Sequence, residues 1–568
     1  MERDIMDEEV SGYVSAIRFN DGTKLEINSD DIVVFVGPNN VGKSRALRDI
    51  YELSRQEYPS VVVSDIKLQK TPGKLTLLLQ RVAEGRKNGP YTEYSLLNHT
   101  YIIYRDNNDD VEFLNNEKYG DFCDLFVANL DTTARLTICD PPNNINRDEP
   151  KLHPIHYAAF DIRYRRWLSE CYRKAFDTYI YPNTHFGATI PLCIGEAVKL
   201  EDDYDDEQLR TEAYAAILEK YDQVQNQGDG IKGFTGILLY LMLDYYHTYI
   251  IDEPESFLHP PQARIMGKLI GQTLTTKQQA FISTHSEEIL KGLLEVCPNR
   301  IKIVRITRDH NINRFSILKN DMINEVWNDP LLKYSNIMSS IFHKSVVLCE
   351  SDSDCKMYSI IDSYLKQSEG KYSQTLFIHC GGKQRMAKIA KALRAINIEV
   401  HLIPDIDVLN DEHIFRSIVE SYGVDWETIK TDYKILRSNL QSNDDGINRE
   451  RARASINAIL SKTNERNISG NDLSAIYEVL SKPSKWSLLK KMGVSAIPAG
   501  DARNAYNRIN EILKTNKVHI VPVGELEGFI REIGKHGPEW VNKVLEEYPD
   551  ISCDVYASIR QFVADMKL

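Results

Sequence analysis

Two series of short, largely apolar runs organise this chain. The first contains DIVVFV (31–36), TYIID (248–252) and FIST (281–284); the second contains SVVLC (345–349), LFIH (376–379) and VHLIP (400–404). Short runs without polar alternation predict strands buried on both faces, as in a parallel sheet. Helical spacing follows several of them, in RALRDIYELS (45–54), in the segment carrying Asp354, and in MAKIAKAL (386–393). In the second series, strand–helix repeats with a chemically capable residue after each strand predict an open α/β sheet whose site gathers at one edge.

Between these series the pattern changes. Residues of roughly 90–230 are rich in Tyr, Asn and Asp and include the acidic run EDDYDDEQ (201–208). This stretch reads as a largely helical insertion, its clearest helix LRTEAYAAILEKY (209–221). Glycine-rich QGDGIKGFTG (227–236) precedes an apolar helix over ILLYLMLDYY (237–246). A second polar insertion covers roughly 411–515, and the join at 330–342 is the expected domain boundary, giving domains of 1–335 and 336–568.

Composition narrows the class without choosing a partner. The chain has 568 residues, 42% hydrophobic and 27% charged, which is ordinary globular composition. Its apolar runs are too short to span a membrane, which takes about 20 residues. The start, MERDIMDEEV, is acidic where a secretory leader is basic and then apolar. Nine scattered cysteines form no Cys-x-x-Cys, so a cytoplasmic protein with reduced thiols is expected. The net charge of −13 rules out a surface basic all over, yet allows a local basic groove or a carboxylate metal site.

Straight after DIVVFV comes GPNNVGKS (37–44), a G-x-x-x-x-G-K-S phosphate loop between a strand and a helix. Gly37 and Gly42 let successive N–H groups of the loop, Asn39 and Asn40 included, turn toward one anion. Lys43 supplies a cation for the β- and γ-phosphates of ATP, and Ser44 a hydroxyl for Mg2+. Such a site needs a second strand ending in carboxylates, and DEPE (252–255) provides it. Asp252 is the expected Mg2+ partner, and Glu253 the general base that polarises the attacking water.

In the second half, SVVLC ends at Glu350, and VHLIP is followed by Asp405 and Asp407. The period-2 spacing of the two aspartates puts both on one side if the strand continues. Crowded carboxylates raise one another's pKa unless a cation neutralises them, and hard oxygen donors suit Mg2+ or Mn2+. Such a site can activate water against a phosphodiester. Two basic stretches, RYRRWLSECYRK (163–174) and NRERARASI (448–456), are candidate nucleic-acid surfaces.

Lys43, DEPE (252–255) and STHS (283–286) together resemble the ABC-type ATPase heads of the SMC, Rad50 and OLD (overcoming lysogenisation defect) families. The resemblance implies a γ-phosphate-sensing role for His285 and a head-to-head dimer. No LSGGQ signature occurs; GDGIKGFTG (228–236) stands in its place without a matching serine, and Gln80 is the candidate Mg2+-contacting glutamine. Glu350 with Asp405 and Asp407 resembles a TOPRIM domain, although Ser351 replaces the usual glycine after the glutamate. By resemblance to OLD-type nucleases, Asp354 with Glu525 and Glu527 completes a second metal site. Lys535, in preference to Lys543, is the charge-stabilising lysine. The two modules in this order resemble the OLD-family endonucleases. That implies an ATP-regulated, Mg2+-dependent DNA endonuclease of bacterial anti-phage defence, a homodimer or higher homo-oligomer. It could act alone, with a helicase-like partner as in Gabija, or with a reverse transcriptase and its DNA product as in retrons. Two other readings stay open: an RNA- or tRNA-cleaving effector, and an ATP-driven sensor or scaffold whose acidic site is inactive.

Overall fold

The computed structural model describes residues 7–104, 109–198, 212–309, 312–318, 338–395, 397–440, 449–461, 467–480 and 485–568. The chain is mixed α/β and folds as two compact units, Met1–Lys333 and Tyr334–Leu568. The acidic run 201–208, Asn448 and most of the join at 330–342 lie outside the described residues.

In the first unit, β1 (Gly12–Phe19), β2 (Lys24–Glu26) and β4 (Val63–Lys70) form a small antiparallel sheet in the order β2-β1-β4. The phosphate-loop strand β3 (Ile32–Val36) belongs to a different sheet, buried at every position. A third sheet, the hairpin pair β5 (Glu84–Asn88), β6 (Tyr91–Leu96) and β7 (His99–Tyr104), lies at the start of the expected insertion. That insertion is less separate than its composition suggests. Its strand β8 (Val127–Leu130) pairs in parallel with the carboxylate strand. VANL is only four residues long, too short to give periodicity. The helices Ile162–Phe176 and Glu212–Leu218 and a three-stranded sheet of β9 (Tyr179–Pro182), β10 (Leu192–Gly195) and β11 (Asp222–Gln223) make up much of the rest.

The central sheet is completed by β12 (Thr248–Asp252), β13 (Gln279–Ser283), β14 (Ile301–Asp309) and β15 (Ile312–Leu318). Its order is β15-β14-β3-β13-β12-β8, parallel throughout except at the β15 edge. Asp252 pairs with Ser283 and Ser283 with Phe35, so the phosphate-loop strand and the carboxylate strand end level with each other. Buried Gln279 fastens this sheet to the smaller one: its amide accepts from Val14 N at 2.8 Å and donates to the Val14 carbonyl at 3.2 Å. A buried amide with both ends satisfied fixes the relative position of two sheets without an unpaired polar group.

The second unit is built on β16 (Ser345–Cys349), β17 (Thr375–His379) and β18 (Glu399–Ile403), a parallel sheet in the order β17-β16-β18. The central strand is fully buried, as its unbroken apolar run requires. Residues 517–521 extend this sheet beside β18, Leu402 N donating to Lys517 O at 2.9 Å and Val521 N to Pro404 O at 3.1 Å. The described residues between 411 and 515 are mainly helical, as Glu412–Ser421, Trp426–Leu440, Arg449–Leu460, Gly470–Leu480, Lys485–Met492 and Asp501–Thr515. The C-terminal helices Gly537–Glu547 and Ala557–Asp565 bury Trp540, Val544, Ile559 and Val563 against Met357, Tyr358 and Ile361 of the helix Asp352–Ser368.

Candidate nucleotide and metal sites

Gly37 has φ +139, and a Cβ there would lie 2.1 Å from the Ile306 carbonyl oxygen, so the loop can only follow its course with glycine. Asn39 and Asn40 are exposed at its tip, Asn40 with φ +61; Gly42 caps the helix Lys43–Arg55, and Ser44 is exposed on its first turn. Lys43 is buried, and its ammonium donates to the carbonyls of Gly37 at 3.0 Å and Pro38 at 2.9 Å. Burial pushes its pKa down to about 8, against the pull of Glu253, Glu255 and Asp252.

The carboxylates after β12 are held by their neighbours. Asp252 accepts from the Ser283 hydroxyl. Glu253 sits at φ +47, its N–H donating to the Ser283 carbonyl at 3.0 Å. Its carboxylate lies 3.6 Å from His285 Nε2, and Ser256 Oγ donates to it at 3.2 Å. The His285 backbone N–H in turn donates to Glu255 at 2.7 Å. Burial, and then Lys43, lowers the His285 pKa, which keeps the ring neutral beside Glu253. Arg135, almost fully buried, was not marked by any motif; its Nη1 donates to the Glu253 carbonyl at 3.1 Å.

The segment 228–236, which stands in the place of a signature motif, opens one helix, Asp229–Leu241, capped by Gly228. A Cβ on Gly236 would meet the Arg135 carbonyl oxygen at 2.2 Å, and one on Gly230 the Phe257 carbonyl oxygen at 2.5 Å. Those two glycines serve close packing of the helix, and its own ladder consumes most of the N–H groups. Gln80 is exposed on the short helix Leu75–Val82.

Lys43 carries a prediction. ATP phosphates favour the ammonium form, so binding must raise a pKa that starts near 8. Calorimetry in buffers of different ionisation enthalpy should show proton uptake on ATP binding at about pH 8, with affinity falling from about pH 7 to about pH 9. Lys43→Ala should abolish both binding and uptake.

In the second unit, Glu350 follows β16, and Asp405 and Asp407 follow β18. One oxygen from each lies within 4.8 Å of the others. The strand does not continue to the aspartates as their spacing suggested. It stops at Ile403, Asp405 caps a 3-10 turn over Ile406–Asn410, and Asp407 lies inside that turn. The turn, pinned by Ile406 N donating to Gly524 O at 3.0 Å, brings both carboxylates toward Glu350.

A second group, Glu525, Glu527 and His536, also places its donor atoms within 4.8 Å of one another. The segment 517–521 beside β18 carries Glu525 and Glu527 to this edge. Gly524, at φ +113, passes so close to the insertion helix Lys485–Met492 that a Cβ would meet the Lys490 carbonyl oxygen at 1.9 Å. Asp354 caps its own helix, accepting from Ser351 N at 2.8 Å. Burial raises its pKa, and Glu527 and Glu525 raise it further. Asp405 is pushed well above the usual carboxylate range, by burial first and then by Glu350, Asp354 and Asp407. Glu350 is raised in the same way, by burial and then by Asp407. Asp354 therefore shares the fields of both groups.

Glu350 Oε2 and Asp407 Oδ1 are buried without a hydrogen-bond partner. Buried acceptors of one sign, gathered in one small volume, favour a bound cation. The donor set is all oxygen at the first group and oxygen with one imidazole at the second. It fits Mg2+ or Mn2+.

The structure does not bring Lys535 to these carboxylates; its ammonium pairs with Glu539 at 3.3 Å, one helical turn along. Lys543 similarly pairs with Glu547 at 3.4 Å. Two other lysines face the site. Lys383 Nζ lies 3.0 Å from Asp407, and Lys490 Nζ 3.3 Å from Glu525. Burial of Lys490 works against its charge, but Glu525, Asp407 and Asp405 outweigh it and raise its pKa. Lys383 had a legible signal in the Gly-Gly-Lys turn after β17. Lys490 had none, because only the fold of the insertion delivers it.

In the basic stretch 163–174, Arg163, Arg166, Arg173 and Lys174 are exposed, and part of the segment packs. Arg163 pairs with Asp161 at 2.7 Å, Arg165 donates to the Ala158 carbonyl at 3.2 Å, and Tyr172 is buried.

Comparison with known proteins bears on both units. Residues 341–407 match the family described as overcoming lysogenization defect protein-like, TOPRIM domain. Over 320 residues the chain is 22% identical to the Old nuclease of Escherichia phage P2, across 55% of this chain and 48% of that protein. It thus spans about half the length of that relative. Among solved structures, an SMC head bound to the C-winged helix domain of ScpA overlaps 55% of this chain and 100% of its own, at 10% identity and TM-score 0.33. The SMC head domain from Thermotoga maritima does so at 11% identity and TM-score 0.28, over 55% and 100%. At such scores the reading of the first unit rests on its own phosphate loop and strand order. Residues 341–407 thus match an OLD-like TOPRIM domain, in a chain similar to the phage P2 Old nuclease whose first unit carries a phosphate loop on a mainly parallel sheet.

Proposed function

We propose that this protein is a nucleotide-controlled, Mg2+-dependent endonuclease that cleaves DNA in bacterial anti-phage defence. The observation that carries the reading is the convergence of Glu350, Asp405 and Asp407 at the edge of the TOPRIM sheet, two of their oxygens buried and unpartnered. Glu350, Asp405 and Asp407 would hold one divalent ion, and Glu525, Glu527 and Asp354, with His536, a second. Ions so held supply Lewis-acid stabilisation of a phosphodiester and a more acidic water. The chain's own part is positioning and charge. The 3-10 turn aims Asp405 and Asp407, the 517–521 segment aims Glu525 and Glu527, and Lys383 and Lys490 offset negative charge as a phosphate approaches.

In the P-loop unit, Lys43, Ser44 and Asp252 would bind ATP with Mg2+. Glu253, oriented by Ser283, Ser256 and Arg135, would take the proton of the attacking water, and His285 would contact the γ-phosphate. An ATPase head of this kind leaves its nucleotide half covered, which supports assembly as a homodimer or larger homo-oligomer. A helicase-like protein, or a reverse transcriptase with its DNA product, is the kind of partner this reading admits. All nine cysteines are free thiols, eight of them buried, which supports work in a reducing compartment. Among the described residues no helix is long and apolar enough to cross a membrane.

Incubation of the full chain with plasmid and with tRNA, in Mg2+ or Mn2+ with and without ATP, tests this reading. Metal-dependent nicking or linearisation of plasmid is the expected result. Cleavage of tRNA alone would reject DNA as the substrate. Cleavage of neither would leave the ATPase as the only activity.

A further inference from the structure

The helix Lys383–Ala395 starts where β17 ends, beside the carboxylates, and returns along the sheet toward β18. Its sequence, KQRMAKIAKALRA, holds five cations and no acidic residue in a chain of net charge −13. Met386, Ile389, Ala390 and Leu393 are buried and fix the face that packs on the fold. Arg385, Lys388 and Lys391 are exposed. At about 1.5 Å rise per residue they cover about 9 Å, comparable with the roughly 7 Å of axial rise in the two steps that separate three successive phosphates.

This stripe begins in the site itself. Lys383 reaches Asp407 at 3.0 Å, Gly382 N donates to the Glu350 carbonyl at 3.1 Å, and Arg385 Nη1 lies 3.2 Å from where a Cβ on Gly381 would stand. On the adjacent helix Glu412–Ser421, Glu412 is held by Arg437 at 2.5 Å and Glu420 by Arg416 at 2.7 Å. Asp411 caps that helix through His413 N and Ile414 N. Arg394, at the far end, is taken up by the Ser421 carbonyl and the Tyr422 ring, so the outward-facing stripe ends at Lys391.

A site lined by six carboxylates repels a polyanion unless cations at its mouth compensate. We propose that Arg385, Lys388 and Lys391 bind backbone phosphates of the DNA strand leaving the TOPRIM site, and so hold that strand against the mouth of the site. This rests on the nuclease reading and names the surface that feeds it. Such contacts are independent of sequence and strongly dependent on salt.

The test is the full chain carrying Arg385→Gln, Lys388→Gln and Lys391→Gln, three exposed positions whose change leaves the core intact. Binding of a short fluorescent DNA duplex in Ca2+ is measured against salt, and cleavage in Mg2+ against DNA concentration. The salt slope should flatten by about 2–3 units, and affinity at moderate salt should fall at least about tenfold. KM should rise while kcat at saturating DNA stays within about twofold. Wild-type slope and affinity in the variant would overturn the stripe and leave the nuclease reading standing. Failure of the unmodified protein to bind or cleave DNA would overturn both.

Discussion

Asp405→Asn is expected to reduce nucleic-acid cleavage by at least about 100-fold while ATP turnover stays within about twofold. Asn keeps the shape of the side chain and removes the charge that a divalent ion requires. Its effect on stability should run the other way. Asp405 lies in the field of Glu350, Asp354 and Asp407, and folding without metal must confine those charges together. Removing one of them relieves that repulsion, so the metal-free variant should melt at the same temperature as the parent or higher. Added Mg2+ should stabilise the parent more than the variant. A variant that lost cleavage together with several degrees of metal-free stability would point to a structural role for Asp405. Cleavage and melting curves, each with and without metal, separate the two.

The second large effect belongs to the first unit. Glu253→Gln should slow ATP hydrolysis by about 100-fold or more and leave ATP affinity within about threefold. The substitution removes the proton acceptor but preserves the amide N–H bond to Ser283 and the carbonyl that accepts from Arg135. ATP should then remain bound, visible as slow release of a labelled nucleotide. Unchanged turnover would exclude Glu253 as the base. If nucleotide controls assembly, the trapped variant should also shift toward the larger species by sedimentation.

The two units differed in how far they could be read. The phosphate loop was legible because its chemistry is local: Gly37, Gly42, Lys43 and Ser44 sit within eight residues between a strand and a helix. Strands β3, β12, β13, β16, β17 and β18 were legible as short apolar runs, whereas β14, whose IKIVRITRD alternates apolar and charged residues, was not. Strand β8 was hidden, since four residues carry no period and its neighbours are polar. The segment 228–236 was hard to read because glycine serves two purposes. There it lets a helix approach Arg135 and Phe257, and composition cannot distinguish that from an anion loop.

At the acidic site, carboxylate spacing suggested convergence but for a geometric reason the fold does not use. A 3-10 turn, and not a continuing strand, carries Asp405 and Asp407. The lysines were least legible. Lys535, just before the helix Gly537–Glu547, pairs with Glu539 on its first turn, whereas Lys490 arrives from an insertion held to the 521–524 loop just after its helix, where Val494 N donates to Pro522 O at 2.8 Å. A contact made by tertiary packing across a long stretch of chain leaves no mark in local sequence. His536 was passed over because a histidine beside the favoured lysine carries no periodic or spacing signal.

Manganese binding followed by electron paramagnetic resonance addresses the account most directly. The parent chain should show a tight class of bound Mn2+ in the absence of nucleotide. The variant carrying Glu350→Gln, Asp405→Asn and Asp407→Asn should lose that class while Lys43→Ala retains it. Full retention of tight Mn2+ by the triple variant would contradict the assignment of these three carboxylates as the ion's seat.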